Sequence, residues 1–369
     1  MNRLFRWDQM GLFLLALAAG ILPFAVPEVC AAALREGLTL CSGPLLLSLF
    51  PFLVVSRLLI QCPESDLLAL PFRLAAWGIG IRTPCAARVL CIGFLGGFAP
   101  AASAAAQAVR TGQLTAEEAD ALLPACICSG PSFVVLTVGQ SLLGSAELGV
   151  LLFASQITAN YLTAALLNRF AGVRSVKPGS AAPASPAPPR LDEILADAAI
   201  MYCKLCGFIL FFRMLAAGAG ALLPAGAGTL CSILLEVCSG CDLASRTGRW
   251  GSLLCCAALS VQGLSVLLQV RTICPPEMTL RPLYRSRLLH LPLSLALFYL
   301  LLPGGEADVF STLSARVLLM RRVPPDCALL VFAVCCMAAC TLRSGIRQVE
   351  QKQMARNAGG CCINSKTLL

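Results

Sequence analysis

Five long runs without a single charged side chain decide what this chain can fold into. Met10–Pro27 spans 18 residues, Ala121–Ala146 spans 26, and Val89–Val109, Leu148–Asn168 and Trp250–Val270 span 21 each. A hydrocarbon layer about 30 Å thick takes roughly 20 helical residues, so these are spanning or membrane-inserted lengths. Composition agrees. Of 369 residues 58% are hydrophobic and 13% are charged, about half the usual quarter, too few to cover a water-facing surface. The expected class is an all-α polytopic membrane protein. A soluble enzyme, a disordered chain and a secreted disulfide scaffold are excluded.

The net charge of +9 would suggest nucleic acid in a soluble chain. Here it fits basic residues held in cytoplasmic loops, and no Lys/Arg run is interleaved with stacking aromatics, so no nucleic-acid partner is expected. Arg3 and Arg6 precede the first run, and Pro27 and Glu28 follow it without a small-x-small cleavage site. That pattern predicts a retained first helix. Most of the 21 cysteines lie inside apolar runs, as Cys255, Cys256, Cys335, Cys336 and Cys340 do, where Cys serves as a small hydrophobe. The pairs Cys203/Cys206 and Cys238/Cys241 lie farther apart than a zinc ribbon allows. With no nucleotide-binding loop, metal-ligand cluster or nucleophile–base set, neither enzyme activity nor a cofactor is expected.

A Pro/Ala-rich stretch divides the chain. Pro178, Pro183, Pro186, Pro188 and Pro189, with Ala, Ser and Gly between them, make an extended, solvated linker. The halves are then 1–170 and 193–343, joined by a cytoplasmic linker at 171–192 and followed by a polar basic tail at 344–369. In the first half, helices are expected at Met10–Pro27 and at Leu38–Ile60, the latter interrupted at Pro44 and Pro51. Val89–Val109 is loosened by Gly93, Gly96, Gly97 and Pro100. Thr115 and Glu118 form a capping-box pattern opening a helix that Ser129-Gly130-Pro131-Ser132 interrupts. In the second half, Ala225–Ala244 carries Glu236, Ser239, Gly240 and Asp242, and Trp250–Val270 carries Gln262 and Gly263. Short final spans are expected at Leu288–Leu302 and Cys327–Leu342. If Val89–Val109 and Ala225–Ala244 each enter and leave on one face, both termini, the linker and most basic loops fall on the cytoplasmic side.

Each half therefore pairs a Gly/Pro-broken segment with a second broken helix. A broken helix facing lipid leaves backbone groups unsatisfied, at several kcal/mol each. Matching breaks in two halves point to a transporter's midplane site, where half-helix N-termini offer N–H groups to an anion. The candidate binding residues are Gly97, Pro100, Ser129, Gly130, Pro131, Ser132, Arg213, Glu236, Ser239, Gly240, Asp242, Gln262, Gly263 and Gln269. Arg213 and Glu236 are ionisable groups within spans and are expected to bind substrate or to pair with each other. Lys204 lies near a helix end, where it can snorkel. Gln262 and Gln269, seven residues apart, are expected on one helix face. His290, behind three arginines, reads as interfacial and structural.

The order and spacing of short motifs resemble the YlbJ (SpoVV) family of sporulation integral membrane proteins, which carry the nucleoside-recognition Gate domain. The motifs are Gly37-Leu38, Ser48-Leu-Phe-Pro-Phe52, Gly93-Phe-Leu-Gly-Gly-Phe98, Gly112-x-Leu-x-x-Glu-Glu-Ala119 and Ser129-Gly-Pro131. In the second half they are Lys204-Leu-x-Gly-Phe208, Leu235-Glu236, Leu264-Ser-Val-x-x-Gln-Val270 and Leu288-Leu-His290. The resemblance implies a fold similar to concentrative nucleoside transporters, in the cell membrane of an endospore-forming bacterium. It implies a carrier of dipicolinate or a similar small anion across the outer forespore membrane, with lipid and a coupling ion as further partners. The chain departs from the family at Gly97-Phe98-Ala99-Pro100-Ala101, where the proline is displaced. It also has Cys126 or Cys128 in place of an Asn and Cys238 near a usual Thr. A nucleoside carrier and a sporulation membrane factor that does not transport are the alternatives.

Overall fold

The computed structural model describes residues 2–61, 63–171 and 190–302. Helix accounts for 86% of them and there are no strands among them. Among the described residues, four segments are long and apolar enough to cross a membrane: Pro27–Leu47, Ala146–Ala171, Leu191–Leu222 and Gly248–Ile273. This is the all-α polytopic membrane architecture that the apolar runs predict. Most of the linker, the tail and the expected span at Cys327–Leu342 lie outside the described residues.

In chain order the first half has α1 (Asn2–Ala25), α2 (Pro27–Ser42), α3 (Pro44–Gln61), α4 (Leu70–Gly78), α5 (Pro84–Gly96), α6 (Phe98–Arg110) and α7 (Ala116–Cys126). A π-helix (Ser132–Leu142) and α8 (Ala146–Ala171) complete it. The second half has α9 (Leu191–Leu222), α10 (Ala225–Leu235), α11 (Val237–Ser245), α12 (Gly251–Val261), α13 (Gly263–Ile273) and α14 (Arg281–Leu301). The helix expected over Leu38–Ile60 divides at Gly43, while Pro51 sits inside α3. Pro44 opens α3, where its missing N–H has no helical partner to lose. Pro51 is tolerated because proline is common within membrane helices. The predicted capping box is present: Glu118 N–H donates to Thr115 Oγ1 at 3.1 Å and Thr115 N–H to Glu118 Oε2 at 3.1 Å. Glu118 also accepts from Thr83 Oγ1 at 2.6 Å, fastening the start of α5 to the start of α7.

Two of the four breaks reverse the chain. A Cβ built on Gly93 would lie 3.2 Å from that of Ala101, eight residues on, whereas a continuous helix separates such positions by about 12 Å. A Cβ on Gly240 would lie 2.8 Å from the Cα of Ile233, seven residues back and about 10 Å away in a straight helix. So α5–α6 and α10–α11 are helical hairpins, which is the chain reversal that a same-face return of these segments requires. The other two breaks, between α7 and the π-helix and between α12 and α13, interrupt broken spans. Each half thus contributes one hairpin and one broken span. They interlock across the halves: α6 packs on α13, α11 on the π-helix, α14 on α8 and α7, and α9 on α2 and α3. The largest core cluster is correspondingly shared by both halves.

Candidate functional site

The tips of the hairpins meet the breaks of the spans. Gly97, between α5 and α6, has φ 81 and ψ −163, a backbone region open in practice only to glycine. A Cβ there would come within 2.6 Å of Gly130 N and 3.2 Å of Cys128 O. Gly263 repeats the arrangement in the second half. Its φ is +70, and a Cβ would lie 3.0 Å from Glu236 N and from the carbonyl of Leu235. Glycine at each contact lets one broken backbone lie directly on another. The unsatisfied groups of all four breaks are therefore enclosed by protein, which is the condition for breaking helices within a membrane.

A cavity of about 50 Å³ opens among these breaks, lined by Gly96, Phe98, Ser129, Gly130, Ser132 and Phe133 from the first half. The second half adds Glu236, Val237, Cys238, Val266 and Gln269, while Leu45, Leu49 and Ile209 form an apolar side. That space holds a few waters. A ring-sized solute would need the hairpins to part.

Glu236 is 2% exposed and caps α11. Its Oε1 accepts from Cys238 N–H at 2.8 Å and its Oε2 from Ser239 N–H at 2.7 Å. The positive end of α11 is thus already neutralised by a carboxylate of the protein. The N-terminal end of the π-helix, at Gly130–Ser132, carries no such side chain. Gln269 is 1% exposed, its Nε2 donates to Ser265 Oγ at 2.9 Å, and its Oε1 has no protein partner. A buried amide oxygen left unpaired on a cavity wall is an open position for a ligand's donor. With the amide turned over, Ser265 would donate to it and the NH₂ would face the cavity instead.

Several candidate residues act elsewhere. Arg213 lies off the cavity lining, and its Nη2 is 2.7 Å from Glu36, not Glu236. Gln262 and Gln269 do not share a helix face, because Gln262 is the break itself, with φ 65 and ψ −10. Its Nε2 donates to Leu259 O at 2.6 Å and reaches Ser129 Oγ at 3.4 Å, linking the broken spans of the two halves. Asp242 pairs with Arg246 at 2.7 Å, one turn on. Ser239 contributes its backbone N–H, Gly240 the close approach of α11 to α10, and Pro100 a contact with Gly96. Pro131 leads into the π-helix with φ −59. Lys204 is exposed. Of the candidate residues, Ser129, Gly130, Ser132, Glu236 and Gln269 line the cavity, and Gly97 and Gly263 let the backbones beside it approach closely.

Sequence reasoning missed one group. Arg287, which looks like one of several arginines at the mouth of a span, is 8% exposed, and His290 is fully buried beside it. Leu283, Ser286, Arg287, His290, Ser294 and Phe298 form the buried face of α14. Their helical spacing is the signal that would have found them. Comparison of the chain with protein families, curated proteins and solved structures finds no match.

Proposed function

We propose that the chain is a membrane carrier for a small planar organic anion, with dipicolinate as the leading substrate. The observation that carries this reading is the meeting of four helix breaks from two halves around one cavity, mostly apolar, whose wall brings Ser129, Ser132, Glu236 and Gln269 together. Protein interiors do not break four helices at one point for packing alone, since each break exposes peptide groups that must be satisfied. The uncapped N-terminal end of the π-helix supports a carboxylate beside Gly130 and Ser132, with the Ser129 and Ser132 hydroxyls donating. Phe98 and Phe133 supply flat apolar walls for a ring. Gln269 supplies a hydrogen bond to its edge. The choice of dipicolinate, and the setting in the outer forespore membrane, rest on the sequence resemblance.

A second reading follows from Glu236. Its carboxylate on the cavity wall opposes a doubly charged ligand and, with Gln269 Oε1, favours a neutral ring that brings N–H donors, as a nucleoside does. Titration calorimetry of the purified protein with dipicolinate and with nucleosides decides between them. Dipicolinate binding that weakens at least tenfold in Ser132→Ala and Gln269→Ala supports the anion reading, and nucleoside binding with the same dependence supports the second. Binding of neither leaves the non-transporting membrane factor as the better account.

A further inference from the structure

Arg287 is a buried cation without a counter-ion. Among the described residues no carboxylate lies within 4.0 Å of its guanidinium. Its partners are neutral oxygens: Ile127 O at 3.4 Å, Ser260 O at 3.5 Å, Asn160 Oδ1 at 3.2 Å and Ser286 Oγ at 3.3 Å. All four are longer than the 2.9–3.0 Å of an ordinary N–H···O bond. A charge buried this deeply in a membrane protein needs a source of negative potential. Two of the oxygens identify it. Ile127 is the C-cap of α7 and Ser260 is the penultimate residue of α12, so the guanidinium sits where the C-terminal ends of the leading half-helices of both broken spans converge. Each end carries about half a unit of negative charge and carbonyls without helical partners. Asn160, which receives Arg287, also donates to Ile127 O at 3.2 Å.

In carriers built from broken helices, half-helix C-termini and unwound carbonyls coordinate a small coupling cation. The geometry points to Arg287 as a tethered replacement for that ion. Its guanidinium holds the two half-helices together, and the chain needs no free sodium at this position. The proposal rests on the carrier reading for its meaning in transport, but the occupancy of the site by a cation stands independently of any substrate.

The test reads thermal unfolding of the purified full-length protein in detergent, in sodium chloride or choline chloride at equal ionic strength. The wild-type melting temperature should be the same in both salts. Arg287→Ala should melt about 5 °C or more lower and regain at least half of that loss in millimolar guanidinium or in sodium, but not in choline. Selective stabilisation of the wild type by sodium would overturn the proposal. So would an Arg287→Ala protein that folds and responds to no small cation, since Arg287 would then serve packing alone. Should Arg287→Ala fail to fold, Arg287→Lys keeps a tethered cation and should be stable and indifferent to sodium; a Lys variant that sodium stabilises counts against the proposal. A separate arm measures dipicolinate uptake into proteoliposomes, which should be equal with sodium or choline outside. Absence of uptake under both conditions counts against the substrate reading, while the thermal arm still judges Arg287.

Discussion

Glycine at position 97 is required twice over, by conformation and by space. Its backbone region excludes side chains, and a Cβ would collide with Gly130. Gly80 separates the two effects, since its φ is +90 with nothing within 4 Å of a built Cβ. Gly80→Ala is expected to cost about 1–2 kcal/mol, the left-handed penalty alone. Gly97→Ala should cost more and displace the hairpin tip, read as a larger drop in melting temperature and a loss of ligand binding. Gln262 offers a complementary comparison, because a non-glycine residue is held there at φ 65 by its own amide. Gln262→Gly loses the bonds to Leu259 and Ser129 but relieves the backbone. Gln262→Ala loses the same bonds and keeps the strain, so it should be the less stable variant by about 1 kcal/mol. Equal stabilities would show that the backbone at 262 is not strained.

Elements were legible in the sequence where local chemistry sets their limits. The Thr115–Glu118 box and the glycines at the α5–α6 tip both work through neighbouring backbone, so the residues announce the structure. The hairpins themselves were legible through charge, because only a same-face return leaves most basic loops on one side. Partners distant in the chain were not. Arg213 meets Glu36 across 177 positions, and nothing in the local pattern prefers Glu36 to Glu236. The π-helix was also invisible, since its register arises from packing: Gly139 lies on Gly149 of α8, where a Cβ would come within 2.5 Å of the opposing Cα. The doubled role of Glu118 makes a prediction at this scale. Thr115→Ala should cost about 1 kcal/mol, the ordinary value of an N-cap. Glu118→Ala should cost clearly more, because it also releases Thr83 on α5. Melting curves of the two variants check the order, and the reverse order would show that the link between α5 and α7 carries no weight.

At the scale of the whole molecule, the two halves are tied through helix faces. The contacts of α9 with α2 and α3, and of α14 with α7 and α8, join residues far apart in sequence. A chain divided within 172–189 and expressed as two polypeptides should therefore assemble and co-purify. Its melting temperature should lie within a few degrees of the intact protein, since covalent closure of a connection this long contributes little compared with the buried faces. Halves that separate in mild detergent would assign the connecting segment a structural role.

The polar bonds that cross between the halves lie mainly on two seams, one around α14 and one between α9 and the α2–α3 pair. Around α14, Gln156 bonds Ser260 and Cys256, His290 meets the Gln156 carbonyl, and Arg287 reaches Ile127 and Asn160, all in buried surroundings. On the α9 side, Arg57 pairs with Asp197 at 2.6 Å, Tyr202 donates to the Cys41 carbonyl and Arg213 pairs with Glu36 at 2.7 Å. The cavity has Leu45, Leu49, Ile209 and Val266 in its wall, with the 3.4 Å contact of Gln262 and Ser129 between the broken spans. Apolar surfaces slide and separate without directional loss, whereas each buried hydrogen bond broken without replacement costs about 1–3 kcal/mol. The molecule is built like a box latched along two seams, with room to yield only in the apolar contacts of the wall between them.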